Sequence, residues 1–89
     1  MHILDIHYEL MNDIEKYAMI ITVTVSKKLK QLAQNNVLFP LPGCPKGMLF
    51  YVGEPIGMGQ RLVCEKSLSL LEVNEFIQII RENGGYLCK

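Results

Sequence analysis

The sequence has no tryptophan, two histidines and three cysteines among its 89 residues. These shortages remove whole classes of chemistry. Zinc sites need four ligands, usually supplied as close pairs such as C-x2-C or H-x3-H. His2 and His7 do not share one face of a helix at their spacing. Cys44, Cys64 and Cys88 lie 20 and 24 residues apart, with none paired. No metal and no cofactor are expected. An odd number of widely spaced cysteines is also not the disulfide framework of a secreted mini-protein. Free thiols in a reducing, cytoplasmic setting are the expectation.

Charge of one sign is missing as well. Lys plus Arg and Asp plus Glu both number 9, so no global field attracts nucleic acid or an anionic membrane. Long hydrophobic runs are absent. The longest, YAMIITVTV at 17–25, is far short of the ~20 residues that span a bilayer. No basic flank followed by an apolar run opens the chain, which argues against a signal peptide.

What is present is apolar side chain, at 49% of residues. A chain of this length is expected to form one domain, 1–89. So small a domain buries only roughly 60–65% of its unfolded surface. The apolar surplus therefore points to a partner, of which a second copy of the chain is the simplest.

Residues 3–16 read as an amphipathic helix. Ile3, Ile6, Leu10 and Ile14 recur at spacings of three and four, and Asp5, Glu9, Asn12 and Lys16 share the opposite side. The first segment is acidic, through Asp5, Glu9, Asp13 and Glu15. Residues 20–25 are consecutive β-branched residues, which suit a strand better than a helix. The competing pattern is a seven-residue repeat, Leu4, Met11, Ala18, Val25 and Leu32. It would suit one long coiled-coil helix from 3 to 34, followed by a β-hairpin and a C-terminal helix. The strand is favoured on the β-branched run, and His7 and Lys28 break the seam of the repeat.

Ser26 then caps a short helix ending near Asn35 or Asn36. The stretch 37–47, with three prolines and two glycines, reads as a connecting loop. MLFYV at 48–52 and RLVCE at 61–65 read as strands, joined by the glycine-rich hairpin loop GEPIGMGQ. Ser69 and Glu72 form an S-x-x-E capping box at the head of a last helix. Leu70, Val73, Phe76, Ile77 and Ile80 make its stripe, and Gly84 and Gly85 end it. Tyr86, Leu87 and Cys88 read as a final short strand.

The expected fold is thus α+β: an N-terminal amphipathic helix followed by a βαββαβ unit, the ferredoxin-like or split βαβ arrangement. Two helices would cover one face of a four-stranded sheet. The other face would carry Ile20, Leu49, Tyr51 and Val63 beside Thr22 and Thr24, and the N-terminal helix or a second sheet would cover it.

Candidate reactive groups are scattered. Cys44, in P-G-C-P-K-G with Lys46 beside it, is the thiol best placed to be reactive. A cysteine hydrolase also needs a positioned base, and only His2 and His7 could serve. The GEPIGMG loop leads into a strand rather than a helix, and no Lys-Ser or Lys-Thr follows it, so it is no phosphate cradle. Ile56 and Met58 on that loop, with Leu49 and Tyr51 on the preceding strand, are candidates for contact with a protein.

The leading expectation is a non-enzymatic protein-interaction module, a homodimer acting by binding another macromolecule. Small phage or mobile-element proteins that inhibit host machinery fit that description. One alternative is a nucleic-acid-binding regulator using Lys27, Lys28 and Lys30. Another is a small-ligand effector module with its site near the 37–47 loop.

Overall fold

A computed structural model describes residues 1–12, 14–34 and 37–87. The elements in chain order are β1 (Ile3–Leu10), β2 (Tyr17–Thr24), α1 (Lys27–Ala33), β3 (Phe39–Pro40), β4 (Leu49–Ile56), β5 (Gly59–Cys64) and α2 (Leu70–Glu82). The strands form one sheet in the order β1-β2-β5-β4-β3, with every neighbouring pair antiparallel.

Alternation in the two central strands decides which face is covered. Met19, Ile21 and Val23 of β2 and Leu62 and Cys64 of β5 are buried, with Phe50 of β4 beside them. Leu29 of α1 and Val73, Phe76 and Ile80 of α2 join the same buried cluster. Both helices therefore pack on one face. The intervening residues Ile20, Thr22 and Thr24 of β2 and Val63 of β5 are half-buried and point the other way. Among the described residues, no helix is long and apolar enough to cross a membrane.

The N-terminal helix expected over 3–16 does not form. Residues 3–10 are instead an edge strand paired with β2. The misleading helical spacing has its cause in the pairing with β2. The register slips between Ile3 and Asp5, so that Ile3 opposes Val23 and Ile6 opposes Ile21. A β-bulge there lets residues three apart face the same side, as in a helix. The run of β-branched residues forms a strand, and the competing coiled-coil helix through 3–34 is absent.

The expected βαββαβ order is overturned at its other end too. Among the described residues no strand follows α2: Tyr86 forms an isolated bridge to His2, and Cys88 lies outside the described residues, as do Asp13, Asn35, Asn36 and Lys89. The sheet position beside β2 is filled by β1 from the N-terminus. The split arrangement survives only at the centre, where β5 lies between β2 and β4.

Two further boundaries differ. The 37–47 segment contributes Phe39 and Leu41 to the core, and Phe39 opposes Phe50 as the short β3. The 53–60 stretch is not an eight-residue loop. β4 runs on to Ile56 and β5 begins at Gly59, leaving a two-residue turn with Gly57 at φ 56°. A register shift between Val52 and Pro55 absorbs the proline. The Gln60 side chain spans that irregularity, donating to the Gly53 carbonyl at 2.7 Å and the Arg61 carbonyl at 3.0 Å.

Local capping follows the sequence closely. Ser26 Oγ accepts from Leu29 N at 3.1 Å. At α2 the capping box is complete, with Glu72 N donating to Ser69 Oγ at 3.2 Å and Ser69 N donating to Glu72 Oε1 at 3.1 Å. Gly84 and Gly85, at φ 67° and 90°, end the helix. Leu70, assigned to the inner stripe, is exposed instead, because it stands at the first position of α2.

Glu72 carries a second duty. Its other carboxylate oxygen takes a 2.7 Å bond from Lys66 Nζ. The Lys66 ammonium first, and the Ser69 backbone N–H second, hold the Glu72 carboxyl at about 2. A carboxyl whose folded-state value is depressed stabilises the fold above the usual carboxylate range, and that contribution fades as pH falls through about 2. The side chains are 39% and 33% exposed, so solvent screening limits the effect to about 1 kcal/mol. Urea titrations at pH 6 and pH 2.5 should show Glu72→Gln destabilised by about that amount at the higher pH and by clearly less at the lower. An equal deficit at both values would mean that the carboxylate charge contributes nothing.

Candidate functional site

The face opposite the helices is uncovered among the described residues. Its side chains line up across the sheet in rungs set by the strand register. One rung runs Asp5, Thr22 and Arg61, and the next runs His7, Ile20, Val63 and Tyr51. Glu9 and Ala18 begin a third, while Thr24, Gly59 and Ile56 close the other end. The result is an aliphatic centre, Ile20 and Val63, with an aromatic ring on one side and ionisable groups along β1. The face holds a half-open groove of about 590 Å³ lined by Asp5, His7, Ile20, Thr22, Ile56 and Arg61.

Electrostatically one rung of the groove carries an acid and a base outside any ion pair. His7 Nε2 lies 3.3 Å from Glu9 Oε1. Among the described residues, Asp5 and Arg61 make no ion pair. They sit one strand apart on the same rung, with Thr22 between them. Such groups remain available to hydrogen-bond an incoming surface.

The candidate contact residues divide between the groove and its rim. Tyr51 and Leu49 are both on the open face, since Phe50 between them is buried. Ile56 lines the groove. Met58 stands at the β4–β5 turn with 93% of its surface exposed. Asp5, His7 and Arg61 were missed as members of this site. The first two were assigned to a helix, and Arg61 read only as a strand end. Alternation in RLVCE, which places Arg61 with Val63, was the signal for the last.

Lys27, Lys28 and Lys30 are exposed on the seven-residue α1. That helix packs on the covered side, so the lysines do not join the open face. The first turn of α1 carries no acidic residue, so its charge opposes the helix dipole.

Cys44 is half-buried and packs against the core. The imidazoles proposed as its base have other contacts. His2 stacks on Tyr86 with ring centroids 4.7 Å apart, and His7 is paired with Glu9. Cys64 is buried, and burial pushes its thiol up. Among the described residues, no group of three or more His, Cys, Asp or Glu side chains could hold a metal ion.

No protein-family model, no curated protein and no solved structure matches the chain. A functional reading therefore rests on the residues themselves.

Proposed function

We propose that this chain is a non-enzymatic binding module that docks another protein on the open face of its sheet, with the β4–β5 turn at the rim of the contact. The observation that carries this reading is the uncovered, grooved face itself, an aliphatic and aromatic centre bordered by acidic and basic side chains. That is the anatomy of a protein-binding patch, where a dry apolar middle supplies affinity and a polar rim supplies register. Tyr51 and Arg61 are of the types that most often dominate such contacts. The fitting partner presents an apolar knob toward Ile20 and Val63, a basic group toward Asp5 and an acidic one toward Arg61. The near balance of charge on the whole chain favours such a local match over attraction to a polyanion.

The test is affinity capture from the cells that make the protein, comparing variants of each surface. Arg61→Glu and Tyr51→Ser should lower retention of the partner by about tenfold or more, as for central interface residues. Leu71→Lys, on the exposed side of α2, should leave it unchanged. A protein lost with Leu71→Lys, or with Lys27, Lys28 and Lys30 reversed to glutamate, but still held by the open-face variants would overturn the assignment. Retention of nucleic acid that disappears with the lysine reversals would replace it with the alternative reading.

A further inference from the structure

The outer edge of β1 has backbone groups to spare and a sequence that complements itself. Tyr17 exchanges both backbone bonds with Leu68, at 2.7 and 2.9 Å, on the side away from β1. Its opposite number, Leu10, is therefore in a non-hydrogen-bonded pair. By alternation, Ile6, Tyr8 and Leu10 turn their N–H and C=O groups outward. The start of the edge is already taken: Ile3 N donates to the Gly85 carbonyl at 2.9 Å. Beyond that point, among the described residues, nothing pairs with the outer side of β1. Natural edges are usually blunted by proline, lysine or a bulge. Here the bulge precedes the free stretch, residues 5–10 contain no proline or lysine, and Asp5, His7 and Glu9 turn onto the open face.

The geometry points to this edge as the seam of a two-fold homodimer, in which β1 of a second copy pairs antiparallel to it about Tyr8. The sequence Ile6-His7-Tyr8-Glu9-Leu10 is apolar, basic, aromatic, acidic, apolar. Rotation about an axis through Tyr8 sets Ile6 against the partner's Leu10, Tyr8 against the partner's Tyr8, and His7 against the partner's Glu9. An imidazole meets a carboxylate twice on the open face. Apolar groups meet on the helix side, where Tyr8 and Leu10 are 42% and 59% exposed. The hydrogen-bonded positions are the ones turned outward, so Ile6, Tyr8 and Leu10 would supply about six backbone bonds across the seam. A foreign strand could use the same donors, but the self-complementary order of side chains selects a second copy. The inference does not depend on the open face being a docking surface. If both hold, the two open faces join into one continuous surface.

Sedimentation equilibrium and residue-resolved amide exchange on the intact chain test it together. At high concentration a dimer is expected, with the Ile6, Tyr8 and Leu10 amides protected, and dilution should release all three in step with dissociation. His7→Glu places like charges opposite each other twice per dimer and should weaken association by about five- to thirtyfold. His7→Glu combined with Glu9→Lys should restore it. A chain that stays monomeric throughout overturns the inference. So does a dimer whose three amides exchange freely, or protection that needs a foreign protein while the chain itself stays single. Arg61→Glu should leave self-association intact, so failure here is distinguishable from failure of the open-face reading.

Discussion

Replacing Phe76 with alanine is expected to lower the free energy of unfolding by about 3–5 kcal/mol. Phe76 is fully buried at the middle of α2, and its ring lies 6.3 Å from that of Phe50. Phe50 in turn opposes Phe39 on one side and Cys64 on the other. The Phe76–Phe50 contact thus ties the C-terminal helix to β4 and, through the partners of Phe50, to the strands on either side. Truncation leaves a void that neighbours on a hydrogen-bonded sheet cannot fill by sliding. A domain of this size has only about 4–13 kcal/mol of stability in total, so the variant should be partly unfolded well below the parent's transition. Urea unfolding followed by far-UV circular dichroism measures the difference. Phe76→Leu, which keeps most of the volume, should lose about 1–1.5 kcal/mol. A loss under about 1 kcal/mol for the alanine variant would mean that α2 does not rest on the sheet through this ring.

The parts of the fold that were readable share one property: their signal is local. Ser26, Ser69 with Glu72, and the Gly84–Gly85 pair act within one turn of the chain, and each sits where its spacing placed it. The β-branched run from Ile20 to Val25 needed no partner to exclude a helix. β1 was not readable for the opposite reason. Its bulge exists only because Ile3 and Ile6 must both reach the core beside β2, a demand created by pairing rather than by the segment itself. The lost C-terminal strand is the same lesson. Tyr86 and Leu87 have strand-forming side chains, but the sheet position they needed is occupied by the N-terminus.

The open face was half legible. Alternation alone placed Ile20, Thr22, Thr24, Leu49, Tyr51 and Val63 on one side of a sheet, and they are there. What it could not supply was the row from β1, since Asp5, His7 and Glu9 reach that face only once residues 3–10 are extended. That row changes the character of the face. With it, an apolar plane expected to need a covering helix becomes a groove edged by ionisable side chains, which can stand in water. The apolar surplus noted in the composition lies partly at the free rim of β1, with Leu10, and partly at turns, with Ile14 and Met58.

Gly59→Val is expected to cost about 3 kcal/mol and to deform the groove. Gly59 begins β5 in the centre of the sheet, buried between Thr24 of β2 and Ile56 of β4. A Cβ added there would lie 3.1 Å from the Thr22 methyl, 3.2 Å from Leu4 Cδ1 and 3.2 Å from the Val23 carbonyl oxygen. Leu4 is the residue at the bulge, and its half-exposed side chain can swing aside. The Val23 oxygen belongs to the backbone of a central strand and cannot move without β2. The higher strand propensity of valine offsets only part of this cost, since its full range is ~1 kcal/mol. Because Leu4 adjoins Asp5, pushing it outward should also disturb the rung of Asp5, Thr22 and Arg61. Gly59→Ala isolates the first contact and should cost about 1 kcal/mol, and Leu4→Ala in the same chain should recover part of it. Urea titration of the single and double variants gives the coupling, and amide exchange at Asp5 and Thr22 reports the groove. Wild-type stability in Gly59→Val, or strict additivity between positions 4 and 59, would show that the bulge does not rest on this glycine.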